Sequence, residues 1–191
     1  MKRAMKQVSL FVLASVLLVG CGIMGGKEAA ATMNMQEAAE NADKMLDATI
    51  NDIQPEVEWA HGDTTSGSCD LTRRRVVMTV ISDERRGNFL GLTERFWKKN
   101  GYEITSVKEG KTHPAIFATS PQGFGIVLAI RGEGQAHFEV NTPCVKRSEV
   151  AAPTTKPNGP AYEGVEIPRP NVHSDFWSAD TPLSSTPPSS S

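Results

Sequence analysis

Four histidines, His61, His113, His137 and His173, are the side chains best suited to proton transfer or metal ligation near neutral pH. A zinc site needs ligands two to four residues apart on one element, and no two of these histidines have that spacing. The sequence therefore predicts no metal centre. His61 and Asp63 share a glycine-flanked stretch, where they could form a weak site, although a polar loop explains both more simply. Asp63 and Asp70 are acids that a fold would have to bring together before they could act as a general acid and base, and sequence spacing does not do that. No Gly-x-Ser-x-Gly elbow is present. Gly123-Phe124-Gly125 lacks the third glycine and following helix of a dinucleotide fingerprint, so it reads as a turn and no cofactor is expected. The chain has 20 basic and 22 acidic residues, a net charge of −2, which lacks the net basic face that nucleic acids require. Its short basic clusters, Arg73-Arg74-Arg75, Arg85-Arg86 and Lys98-Lys99, read as solvated faces.

The N-terminus carries a different chemistry. Lys2, Arg3 and Lys6 precede the apolar run Leu10 to Val19, which ends in small residues at Gly20-Cys21. That is the layout of an export signal, and the run is short of the roughly 20 apolar residues a spanning helix needs. Leu18-Val19-Gly20-Cys21 closely resembles the lipobox of bacterial lipoproteins. The resemblance covers residues 1–22. It implies a diacylglyceryl group on Cys21, cleavage of residues 1–20, and a mature chain held at a bacterial membrane on its extracytoplasmic side. Loss of the three basic residues leaves 17 against 22, a net charge of −5. With Cys21 lipidated, Cys69 and Cys144 are an even pair in an oxidising compartment and are expected to form a disulfide.

Residues 21–33, small and polar after the cysteine, read as a tether. A domain follows over 34–145. Met35, Ala38, Ala39, Ala42, Met45, Leu46, Ile50 and Ile53 recur at helical spacing, with Glu37, Glu40, Asp43 and Lys44 largely opposite. Asn34 and Glu37 make a capping box, and Pro55 stops the helix. Glu56–Ala60 is a short first strand, Gly62–Ser68 a loop, and Leu71–Ser82 a central strand with apolar residues on both faces. Asp83 caps a second helix, Glu84–Asn100, ended by Gly101. Four alternating segments follow: Tyr102–Lys108, Pro114–Thr119, Phe124–Arg131 and Gln135–Asn141. A Cys69–Cys144 bond would place the second and sixth strands side by side and antiparallel, because bridged Cα atoms lie within about 7 Å. The expected fold is α+β in two layers. A mostly antiparallel sheet of about six strands, in the order 1-2-6-5-4-3, carries both helices on one face.

If Phe124, Ile126, Leu128 and Ile130 face the helices, the opposite face centres on Val77, Thr79, Ile81, Gly125, Val127 and Ala129, rimmed by Arg75, Gln135, His137 and Glu139. An apolar centre inside a polar rim is the layout of a binding surface, suited to an envelope protein or a small apolar ligand, unless the tail or a second copy covers it. Residues 146–191, with eight of the twelve prolines and a Ser-rich end, are expected to be mostly disordered. Tyr162 to Trp177 would contact the domain transiently or bind a partner. Trimming after Arg147 would then leave the fold intact. The functional expectation is a lipid-anchored binding or interaction protein, with a small envelope hydrolase as the alternative.

Overall fold

The computed structural model describes residues 32–162 and 164–183. Cys21 and the export signal lie outside them. Helix α1 spans Met35–Asn51. The Asn34 side chain accepts from the Glu37 backbone N–H, and the Glu37 carboxylate accepts from the Asn34 N–H, so the capping box is complete. Helix α2 spans Asp83–Lys99, with acids in its first turn and lysines in its last, both favourable to the helix dipole. Its N-cap residue is Ser82, in an extended conformation, rather than Asp83, which is already helical; the Ser82 hydroxyl donates to the Ala179 carbonyl and does not cap the helix. Gly101 ends it at φ +77°, a left-handed conformation that costs little without a Cβ.

Six strands form one sheet: β1 Trp59–Ser66, β2 Leu71–Val77, β3 Glu103–Lys108, β4 Ala115–Thr119, β5 Gly125–Ile130 and β6 Ala136–Asn141. Their order is β1-β2-β6-β5-β4-β3, and every pair is antiparallel. The fold is α+β, as expected. The disulfide joins Cys69 to Cys144 with their Cα atoms 4.8 Å apart, and it ties the start of β2 to the residues just after β6. Strand β1 is longer than its composition suggests. The stretch expected to be a loop pairs with β2 through Ser66, with a register shift between Gly62 and Thr65 that accommodates it.

The helices pack on the face presented by Ile126, Leu128 and Ile130 of β5 and Ala136, Phe138 and Val140 of β6, all buried. Their β2 partners in register are Arg73, opposite Val140, and Arg75, opposite Phe138. Arg75 and Val77 therefore belong to the helix side, Ile81 beyond the end of β2 is buried in the same core, and their expected place on the opposite face is wrong. The error is one of phase along β2, since a one-residue change of register exchanges the faces of a strand. Thr79 is buried where the chain leaves β2. It accepts from the Glu58 N–H and bridges to Val172.

The tail is the largest departure from expectation. Residues 146–162 and 164–183 are built into the domain rather than left free. The Lys146 N–H donates to the Met33 carbonyl and its carbonyl accepts from the Met35 N–H, 3.0 Å each, which starts the segment beside α1. Tyr162, Ile167 and Val172 then pack on Ala60, Val76 and Met78, a second apolar cluster away from the helices. Trp177 is fully buried, edge-on to Phe89 with centroids 5.1 Å apart, and its indole N–H donates to the Pro55 carbonyl at 2.6 Å. Arg85 holds the segment end, donating to the Phe176 carbonyl at 2.8 Å and the Thr181 carbonyl at 2.6 Å. Proline costs little in an extended strap, because its fixed φ has already removed freedom from the unfolded chain. The expectation of disorder weighed composition and missed these anchors.

Candidate functional site

Two arginines on a strand buried under a helix need compensating charge. Helix α1 supplies it from Asp43 and Asp47, four residues apart and so on one face. Arg73 Nε lies 3.2 Å from Asp43, and Arg75 Nη2 lies 3.0 Å from Asp43 and 3.1 Å from Asp47. The arginine side chains are 2% and 0% exposed. Arg75 also sits over the Trp59 ring, 4.9 Å from its centroid, a cation–π contact. The expectation of solvated faces thus fails for Arg73 and Arg75, and also for the buried Arg85, and Asp43 faces the sheet rather than solvent.

This charge cluster fastens the tail. Arg73 donates to the Thr64 hydroxyl and the Ala151 carbonyl, both at 2.6 Å, and the Thr155 hydroxyl donates to Asp47 at 2.5 Å. His61 Nε2 lies 2.7 Å from the Thr155 carbonyl, which can only accept, so Nε2 carries the proton and Nδ1 the lone pair. Burial and, secondarily, the Arg75 charge push the His61 pKa below its ordinary value, which favours the neutral ring. Asn158 completes the clamp. Its side-chain oxygen accepts from the Trp59 N–H, and its amide donates to Glu56 and to the Val57 carbonyl.

Between this strap and β1 lies a cleft of about 570 Å³, within the range of small-molecule sites. One wall is His61, Asp63, Thr64 and Ser66 of β1 with Arg73 behind them. The other is Val150–Pro153, Pro157, Ala161 and Tyr162 of the tail. His61 and Asp63 therefore share the cleft, while Asp70 sits in the β1–β2 turn, its carbonyl accepting from the Gly67 N–H, and does not line it. Among the described residues no histidine bonds a serine, threonine or cysteine side chain, and no group of three His, Cys, Asp or Glu residues is placed to hold a metal ion.

Of the residues expected on the outer sheet face, Val127, Ala129, His137 and Glu139 lie there, half-buried, with Gln135 beside them. The tail covers the β1–β2 half of that face, and just before β6 Gln135 donates to the Pro168 carbonyl. Burial, with help from Arg131 and Arg74, lowers the His137 pKa to about 4. The cleft itself was not legible in the sequence, because one wall belongs to the tail. The signal that existed was the i,i+2 spacing of Arg73 and Arg75 between Leu71 and Val77, against Asp43 and Asp47 at i,i+4.

No family model matches the chain, and no curated protein matches it. Among solved structures it is similar to a DUF4853 family protein from Actinomyces odontolyticus ATCC 17982, at 8% identity and a TM-score of 0.34 over 71% of this chain and 77% of that one. Among the described residues no helix is long and apolar enough to cross a membrane. The disulfide is compatible with an extracytoplasmic location.

Proposed function

We propose that this protein is a lipid-anchored, extracytoplasmic binding protein whose ligand site is the cleft between β1 and the tail strap. The observation that carries the reading is the clamp on that strap. Arg73, His61 and Trp59 bond its backbone at Ala151, Thr155 and Gly159, and Asp47 and Trp59 hold the Thr155 and Asn158 side chains, so the cleft is formed before any ligand arrives. A preformed site avoids part of the ordering cost of binding. Its walls, apolar on the tail side and polar on the β1 side, suit a small ligand with both characters. Native mass spectrometry of the protein released from its own membrane tests this against Ala152→Trp, whose indole would fill the cleft. A bound small-molecule mass in the wild type, absent in the variant, is expected. Identical spectra would remove the cleft from consideration. Anchoring is a separate arm: Cys21→Ala should block processing and membrane retention, and normal maturation of that variant would sink the lipid anchor.

A further inference from the structure

The two edges of the sheet are treated differently. Strand β1 is covered by the tail: the Gly159 N–H donates to the Trp59 carbonyl at 3.1 Å, and Asn158 and Thr155 bond the strand further. Strand β3 pairs only with β4, and among the described residues nothing bonds its other side. Five of its six residues are exposed, and Val107, at 48%, is one of the few large apolar side chains left in solvent. An open edge with an exposed valine is a template for another strand.

The β3 sequence Glu103-Ile104-Thr105-Ser106-Val107-Lys108 is complementary to itself in the antiparallel direction. About a two-fold axis between Thr105 and Ser106, Glu103 meets Lys108 of a second copy, Ile104 meets Val107, and Thr105 meets Ser106. In a regular strand this pairing fails, because residues 103 and 108 would point to opposite faces. The register shift between Ile104 and Ser106 removes the obstacle. Glu103 and Lys108 lie opposite Thr119 and Ala115 on one face, while Ile104 and Val107 lie opposite Ala118 and Ile116 on the other. A bulge and a lysine ordinarily protect an edge, but here the bulge brings the charged pair and the apolar pair each onto a common face. Among the described residues neither Glu103 nor Lys108 has an ion-pair partner, which leaves both charges to meet a second copy.

We infer that β3 is a homodimerisation edge, pairing antiparallel with β3 of a second copy to give one continuous twelve-stranded sheet. The interface is isologous, with each Glu103–Lys108 contact made twice. It does not depend on the cleft or on the lipid. Sedimentation equilibrium of the full chain in detergent solution, across a dilution series, reads it. The wild type should reach the dimer mass. Lys108→Glu sets like charges opposite each other at both ends and should weaken the dimer by about tenfold or more. The double variant Glu103→Lys/Lys108→Glu restores opposite charges and should recover it. Circular dichroism shows whether each variant keeps the fold. A wild-type chain that stays monomeric at every concentration overturns the proposal. So does a dimer indifferent to Lys108→Glu, or one that the double variant fails to rescue.

Discussion

Arg73 and Arg75 carry two full charges into the space between α1 and the sheet, and Asp43 is the carboxylate both of them use. Asp43→Asn would leave Arg73 buried without its anionic partner, while Arg75 retains Asp47. We expect a loss of about 3 kcal/mol in urea unfolding. Asp47→Asn should cost clearly less, since Asp47 is more exposed and Arg75 retains Asp43. Equal effects would contradict this division of labour. His137 gives a second test, in pH. Its folded pKa of about 4 lies below the ordinary 6.5, so between those values the unfolded chain binds a proton that the folded chain does not. Stability is therefore full above about pH 6.5 and is lost as pH falls toward 4, where the loss levels off. The lowered pKa of His61 acts in the same direction. After discounting for solvent screening of a partly exposed ring, the His137 contribution is on the order of 2 kcal/mol. His137→Gln should flatten the dependence over that window.

The tail strap behaves as a structural element although its described residues contain no helix or strand. Its Trp177 fills space against Phe89 and satisfies the Pro55 carbonyl, and the following Ser178 hydroxyl donates to the Val80 carbonyl at 2.8 Å. Trp177→Ala should cost about 3 to 5 kcal/mol, from lost burial, the cavity left behind and an orphaned carbonyl. Truncation after Arg147 removes this anchor, uncovers Val76 and Met78, and deletes one wall of the cleft. It should unfold the domain or leave it only marginally stable by thermal melting, contrary to what the composition suggests. A truncated chain with an unchanged melting temperature would show the strap to be a passenger.

At the scale of the molecule, the disulfide and the tail close the same structure from two directions. Cys69 and Cys144 are 75 residues apart, and a loop of that length contributes up to about 4 to 5 kcal/mol in the chain-entropy model. That is a large share of a typical domain stability of roughly 5 to 15 kcal/mol. Cys69→Ala/Cys144→Ala should lower the unfolding free energy by about 2 to 5 kcal/mol in non-reducing buffer. Reduction of the wild type should reproduce the loss. A variant as stable as the wild type would mean that the β2–β6 pairing needs no covalent support.

Local pattern and covalent connectivity were legible in the sequence. The capping box at Asn34, the left-handed Gly101, the alternation in β5 and β6, and the cysteine arithmetic were enough for the helices, strand order and fold class. The remaining features depended on partners distant in the chain. Arg75 and Val77 have no intrinsic face. The register Phe138 to Arg75 assigns it, and that register is tolerable only because α1 presents Asp43 and Asp47 above it. The cleft requires β1 and a segment about 90 residues later to meet, through hydrogen bonds such as His61 to Thr155 that no periodicity encodes. The strap read as disorder for the same reason: composition reports what a segment could bury alone, whereas Trp177 is ordered by a pocket made of Phe89 and Pro55.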